Sequence, residues 1–332
     1  MTRIWFNHWF STVFNVIRML KQENPDFYFI GTNERDQAAY RLECDEWYIE
    51  PVLSREDYVK FCLEFCRAHQ VDVFIPRRHF MTISKHKADF AEIGVKVLVD
   101  DFDLIEPLNH KAAAYSLLSG IPELLIPDYY TVTNAAAFQE AYAKIEAKYG
   151  RVCFKFEQDE GGKSFRQIDD TRKGFAALSK RMTTRMTLDE AIAALSEVES
   201  FPSMMVMPYL PGEEVSVDCL DTASGLLMIP RFKGATRTER IAFPNDILQM
   251  CEAFHKAVPL QAPFNIQFKY LDGTPYFLEV NTRMSGGIQM SCAGVNVNLP
   301  DLAVNKLLGI DKEWNLEKKE RYVTHVEIPV VF

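Results

Sequence analysis

Four polar residues in the last quarter of this chain have types and spacing suited to work on a phosphate. Asn265-Ile266-Gln267-Phe268 reads as a strand, Asp272-Gly273 as a hairpin turn, and Tyr276 to Asn281 as the returning strand. Glu279 and Asn281 are i and i+2, so their side chains share one face, and Gln267 can lie beside them. Arg283, two residues further, continues on that side. A carboxylate, two amide oxygens and a guanidinium suit Mg²⁺ held with a polyphosphate. Mg²⁺ takes hard oxygen ligands and keeps phosphates and waters in its shell, and an arginine can neutralise charge on a transferring phosphoryl group. A polar solvent face opposite Leu278 and Val280 would give the same spacing.

Other residues extend this chemistry. Lys155 lies in the apolar run Val152 to Phe156, where a lysine must snorkel or meet an anion. Glu160-Gly161-Gly162-Lys163-Ser164 follows, and then the strand-like Phe165 to Ile168. This reads as a hairpin whose backbone N–H groups either close over phosphates or merely turn. The basic run Arg231 to Arg237, with Lys233 inside it, reads as a clamp on an anionic substrate or as a solvated loop. Ser285-Gly286-Gly287 could present backbone N–H groups to an acceptor carboxylate. Arg77-Arg78-His79 reads as an anion site or as a basic turn. Cys62, Cys66 and His69 could be metal ligands, but both cysteines fall on a helix's apolar stripe and read as core.

The elements that must position these groups alternate in the first third. Apolar runs at Arg3–Phe6 and Phe27–Gly31 flank a helix carrying Val13, Phe14, Ile17 and Leu20, with Ser11 as its cap. Ser54 with Asp57 resembles a capping box before Tyr58, Phe61, Cys62, Phe65 and Cys66 at helical spacing. Val71–Ile75 and Val95–Val99 read as strands, so residues 1–105 form an α/β domain on a parallel sheet. Its ligands bind beyond the carboxyl ends of the strands, which draws notice to Asn7-His8 and to Arg77-Arg78-His79. The loop Phe-Asn-His-Trp-Phe after the first strand has no Gly-x-Gly-x-x-Gly, which argues against a dinucleotide-dependent oxidoreductase. Beyond residue 106, helices are expected at Asn109–Ser119, ended by Gly120-Ile121-Pro122, and at Asn134–Lys148. The segment Met204–Asp218 reads as strand, connector and strand. The tail Tyr322–Phe332 is expected to be a closing strand.

Composition narrows the class. With 332 residues, 48% hydrophobic and 25% charged, the chain is globular and about two domains long. A net charge of −9 excludes broad nucleic-acid binding, and no apolar run reaches the ~18 residues of a membrane span. The N-terminus does not read as a signal peptide. Seven unevenly spaced cysteines fit reduced thiols and a cytoplasmic location.

The order of these features resembles the ATP-grasp superfamily over nearly the whole chain. It is most similar to stand-alone relatives of the carbamoyl phosphate synthase large-subunit half and of biotin carboxylase. The run EVNTRMSGG followed by an Asn-Leu-Pro-Asp-Leu helix carries most of the specificity. The resemblance implies an α/β fold, α+β in its C-terminal part. A Rossmann-like pre-ATP-grasp domain (1–105) would precede a two-lobed ATP-grasp domain (106–332), with a lid over roughly 125–205 and a metal and phosphate lobe over roughly 206–332. It implies that Lys111 and Lys155 contact ATP phosphates beneath a lid loop of Gly161, Gly162 and Ser164. Met207, Tyr209 and Leu210 would lie on the hinge that reads adenine, and Glu214 would take the ribose. Gln267, Glu279 and Asn281 would hold two Mg²⁺ ions, replaceable by Mn²⁺, and Arg283, Glu279 and Lys155 would be catalytic. Arg77, Arg78, His79, Arg231, Lys233, Arg237, Ser285 and Gly286 are candidates for the substrate.

The implied activity is a carboxylate–amine ligase that forms an acyl phosphate with Mg-ATP and passes the acyl group to an amine. Its partners would be small molecules, with no nucleic acid and no membrane, and many relatives dimerise through the first domain. Alternatives are a non-catalytic nucleotide-binding sensor or partner subunit, and a small-molecule kinase or carboxylase of the same fold. The lid loop is more acidic and poorer in glycine than is typical. Arg78-His79-Phe80-Met81 stands where relatives commonly carry an acidic residue, which suggests an altered acceptor.

Overall fold

The computed structural model describes residues 1–158, 162–171, 184–234 and 236–332. They divide into two compact units: Met1–Asn109 with Glu213–Phe268 and Glu279–Phe332, and His110–Gly212 with Lys269–Leu278.

The first unit opens with the parallel sheet that the alternating pattern predicts. Its strands are β1 (Thr2–Asn7), β2 (Phe27–Asn33), β3 (Glu46–Ile49), β4 (Val73–Ile75) and β5 (Lys96–Val97), in the order β3-β2-β1-β4-β5, and every pairing is parallel. On one face Trp5 stacks on Phe74 (4.1 Å between ring centres) and lies 4.5 Å from Phe65 of α2 (Arg55–Ala68). On the other face α1 (Val13–Glu23) buries Val13, Val16, Ile17 and Leu20. These join one core with Ile4, Phe6, Phe29 and residues from the end of the chain, among them Leu299, Leu302 and Val304. Cys62 and Cys66 are buried on α2, as their stripe predicts.

Element ends differ from expectation in physical ways. Thr12, not Ser11, occupies the N-cap of α1, and its side chain makes no capping bond. At α2 the Ser54 hydroxyl does accept from the Asp57 N–H, while Asp57 takes the Ser54 O–H instead of a backbone N–H. The strands near Ile75 and Val97 are shorter than their apolar runs because hydrophobicity continues past the ladder. Strand β3 escapes the sequence pattern because Tyr48 and Ile49 are exposed.

After the short helices α3 (Phe80–Lys85), α4 (Lys87–Glu92) and α5 (Phe102–Ile105), the second unit begins at α6 (Lys111–Leu118). It carries β6 (Tyr130–Val132), α7 (Ala135–Tyr149), β7 (Val152–Phe156), β8 (Arg166–Ile168), β9 (Arg185–Met186), α8 (Leu188–Leu195) and β10 (Met204–Pro208). The sheet order is β6-β10-β7-β8-β9. Helix α7 is capped by the Asn134 side chain and closed by Gly150 at φ 66°. It packs Phe138, Tyr142 and Ile145 on Val152, Phe154 and Val206.

The chain then re-enters the first unit through β11 (Glu214–Thr222), β12 (Gly225–Lys233), β13 (Thr238–Ile241) and α9 (Asn245–Ala257), and continues into β14 (Phe264–Leu271) and β15 (Thr274–Asn281), whose segment Lys269–Leu278 belongs to the second unit. Helices α10 (Ile288–Val295) and α11 (Leu299–Leu308) and strand β16 (Arg321–Thr324) follow. This six-stranded sheet runs β15-β14-β11-β12-β13-β16. The expected closing strand is therefore present but short: it ends at Thr324, and residues 325–332 are exposed without regular structure. Among the described residues no helix is long and apolar enough to cross a membrane.

Candidate functional site: a metal and phosphate hairpin

The β14–β15 hairpin turns at Asp272 and Gly273, whose φ values of 49° and 80° both lie in the left-handed region, as a two-residue turn of this hand requires. Along β15, Pro275 and Phe277 are buried, and then the alternation changes phase at Leu278–Glu279, so that Val280 is buried next. Glu279 and Asn281 therefore share the side opposite Val280. Arg283 donates from Nη2 to Asn281 Oδ1 at 3.3 Å and from Nη1 to the Met284 carbonyl at 3.1 Å, and its guanidinium lies 5.9 Å from the centre of the Phe10 ring.

Behind these groups runs a buried polar chain that sequence reasoning missed. Gln267 Nε2 donates to Asn265 Oδ1 at 3.5 Å, the Ser216 hydroxyl donates to the same oxygen at 3.0 Å, and Asn265 Nδ2 donates to Asp218 Oδ1 at 2.8 Å. Ser291 donates to the other Asp218 oxygen at 2.6 Å and accepts from Arg231 Nε at 3.1 Å. Arg231 also pairs with Glu239 and donates to Ser285 Oγ at 3.5 Å. All five of Ser216, Asp218, Arg231, Asn265 and Ser291 are buried. Arg231 thus corrects the expectation of an open basic clamp. It sits inside β12 with its charge spent on Asp218 and Glu239, because an unpaired guanidinium could not stay buried there.

The donor set fits a hard divalent cation. Gln267 gives its amide nitrogen to Asn265, which leaves the amide oxygen for a ligand, and Glu279 adds a carboxylate and Asn281 a second amide oxygen. No cluster of three or more His, Cys, Asp or Glu placed for a metal occurs among the described residues. A cation here would therefore draw much of its charge balance from bound phosphate.

The remaining candidates of this unit are already engaged. Glu214 and Lys233 face each other across β11–β12 and form an ion pair, as do Arg237 and Glu327 at the surface. Ser285 Oγ accepts from the Gly287 N–H at 3.3 Å, and Gly286 borders open space. Gly287 has no room for a side chain, since a Cβ would lie 2.4 Å from Arg231 Nη2.

The Arg77-Arg78-His79 loop is neither a free anion site nor a solvated turn. Arg78 reaches Glu34 at 2.7 Å and Glu50 Oε1 at 3.1 Å, and these contacts hold Glu34 below its ordinary pKa. The Glu50 side chain is 0% exposed, and its Oε2 accepts from Thr32 Oγ1 at 2.9 Å and from the Tyr58 hydroxyl at 3.1 Å. Arg77 donates its backbone N–H to Asn7 Oδ1 at 2.6 Å and lies 4.6 Å over Phe10. His79 takes φ 51°, and burial, with the charges of Arg78 and Arg55, depresses its pKa. Glu50 was not foreseen because a carboxylate at a strand end reads as solvent-facing.

In the second unit Lys111 opens α6 and donates to the Glu157 carbonyl at 3.4 Å. Lys155 is 7% exposed and pairs in register with Met205 of β10, while Met207 pairs with Cys153. Burial pushes the Cys153 thiol up to about 12 against the opposing charges of Lys155 and Lys269. That places a second lysine, not anticipated, near Lys155. Ser164 Oγ accepts from the Phe156 N–H at 2.9 Å, and Gly162 adopts φ 65°; Gly161 lies outside the described residues. Tyr209 donates its N–H to the Arg151 carbonyl at 3.1 Å, and Met207 and Leu210 are buried.

Residues 200–328 match the family described as "ATP-grasp in the biosynthetic pathway with Ter operon". A segment of 147 residues is 27% identical to the carbamoyl phosphate synthase large chain of Caldanaerobacter subterraneus subsp. tengcongensis, covering 39% of this chain but only 14% of that protein. Among solved structures, the ADP complex of an N5-carboxyaminoimidazole ribonucleotide synthetase superposes with a TM-score of 0.70 at 14% identity, over 97% of this chain and 80% of that one. The biotin carboxylase domain of the Hydrogenobacter thermophilus 2-oxoglutarate carboxylase, with MgADP and bicarbonate, gives 0.68 at 14% identity, over 96% and 72%. The fold is the ATP-grasp fold, and the family match falls on its C-terminal part.

Proposed function

We propose that this protein is an ATP-dependent carboxylate–amine ligase. The observation that carries the reading is the β14–β15 hairpin, where Glu279 and Asn281 share one face of the returning strand and Arg283 donates to Asn281 Oδ1. A substrate carboxylate attacks the γ-phosphate of ATP and gives an acyl phosphate and ADP; an amine then displaces phosphate. Gln267, Glu279 and Asn281 would hold two Mg²⁺ ions, whose chemistry here is to offset phosphate charge.

The remaining work is positioning and charge stabilisation by this chain's own residues. Arg283 stabilises the transferring phosphoryl group and is itself held by Asn281 and the Met284 carbonyl. Lys111 and Lys155 hold the phosphate tail, and Lys269 adds positive charge near Lys155. The hinge residues Met207 to Leu210 offer backbone groups to adenine, and Glu214 serves the ribose. Ser285 and Gly286 present N–H groups to the acceptor. A cytoplasmic location and a homodimer accompany this reading.

ADP release with ATP and Mg²⁺ against pooled carboxylic acids and amino acids tests it, with Glu279→Gln as the blank. Release that depends on one acid and disappears in the variant is expected. Release that is indifferent to Glu279 would refute the metal assignment.

A further inference from the structure

We propose that His8 is the general base that deprotonates the amine nucleophile and that Glu50 orients it. This rests on the ligase reading and adds the acid–base group that the reading lacks. His8 directly follows β1, beyond the carboxyl end of a central strand of the parallel sheet, where such sheets place ligands. Its backbone is held in the left-handed region at φ 43°, with its N–H donated to the Thr32 carbonyl at 2.8 Å. A non-glycine residue occupies that region only at a cost, and the conformation turns the imidazole towards Glu50.

The ring is one-third exposed, but its Nδ1 is sealed from solvent and lies 3.3 Å from Glu50 Oε1, a charge contact that lacks hydrogen-bond geometry. The accessible edge therefore carries Nε2. A carboxylate fixed by Thr32, Tyr58 and Arg78 favours a proton on Nδ1 and leaves the Nε2 lone pair to act as base. The charged and titratable groups facing this pair are Glu34 after β2, Tyr40 before β3, Tyr58 and Cys62 of α2, and Arg78 and His79 after β4. Glu34 and Glu50 together outweigh the single charge of Arg78, so a proton taken up by His8 brings the cluster to neutrality. Two residues on, Phe10 carries the Arg283 guanidinium, which ties the His8 loop to the group assigned to the phosphoryl.

An ammonium substrate gives one proton to His8 Nε2. The freed nitrogen lone pair forms the C–N bond, and the acyl carbon–oxygen bond breaks with its electron pair leaving on phosphate. The nitrogen's second proton leaves with that phosphate, and His8 returns its own to solvent.

Hydroxylamine separates this role from ATP activation, because it is already unprotonated at neutral pH and needs no base. Purified full-length protein with ATP, Mg²⁺ and pooled L-amino acids is assayed for amide product and, with hydroxylamine added, for hydroxamate. His8→Gln is expected to lose amide formation by about 100-fold or more while hydroxamate falls far less, and the amide formation that remains should climb with pH as the free-amine fraction does. Amide formation within about threefold of wild type, or equal loss of both products, overturns the base role. Wild-type protein that yields neither product overturns the ligase reading, and this proposal with it. Because His8 is partly exposed, its variant should fold; Glu50→Gln, retaining the shape, should lower amide formation while largely sparing hydroxamate.

Discussion

The guanidinium of Arg283 lies 5.9 Å from the ring centre of Phe10, although 273 residues of sequence separate them. Arg77 occupies the same ring at 4.6 Å. One aromatic side chain from the loop after β1 thus helps hold the arginine assigned to the phosphoryl group.

Phe10→Ala should therefore lower turnover more than stability. A partly exposed cation–π contact contributes up to about 1 kcal/mol, or roughly fivefold in rate if it is lost only from the reacting geometry. Phe10 is 45% exposed, so thermal melting should hardly move. Steady-state ADP release and melting on the same sample check this.

The buried chain behind the hairpin predicts a sharper stability effect. Arg231→Ala leaves Asp218 and Glu239 uncompensated and should cost about 3–5 kcal/mol. Adding Asp218→Asn should recover part of that loss, because one stranded charge is removed as well. Urea unfolding of the two variants measures both values.

Gly287→Ala drives a methyl group to 2.4 Å from Arg231 Nη2. Arg231 cannot swing away without breaking its bonds to Ser291 and Glu239, so the substitution should cost about 1–3 kcal/mol. Gly286→Ala faces open space and should melt like the wild type.

Glu46 predicts an acid-sensitive contribution to stability. The hydrogen bond from Arg3 (2.8 Å), helped by Tyr48 and Tyr28, lowers its pKa from 4.5 to about 2 against the burial that opposes it. A carboxylate with a lowered folded-state pKa stabilises above its unfolded value and loses that contribution as pH falls through the folded one. The difference in melting temperature between wild type and Glu46→Gln should be constant from pH 5 to neutrality and shrink between about 4.5 and 2.

Much of this was legible in the residues. Period-two spacing put Glu279 and Asn281 on one face, and the strand–helix alternation gave the parallel sheet. Lys155 stood out because two phenylalanines flank it. What was not legible were polar groups whose meaning depends on distant partners. Asp218, Asn265 and Ser291 read as ordinary strand and helix residues, and only the fold brings them within 3 Å of one another's partners. Arg231 read as a substrate clamp or a solvated loop because a buried guanidinium leaves no signal except its pairing with carboxylates. Glu50 was hidden for the same reason, whereas His8 was visible from its place after β1 alone.

The join between α1 and α11 bears on how the chain is made. Asn298 donates to the Met19 carbonyl across 279 positions, and Asn24 bonds Asp301 across 277. On the ribosome, the apolar stripe of Val13, Val16, Ile17 and Leu20 emerges nearly 280 residues ahead of its lid of Leu299, Leu302 and Val304. At ordinary elongation rates that interval is on the order of tens of seconds. Throughout it the first helix stays sticky, so the nascent chain is a natural client for a holding chaperone.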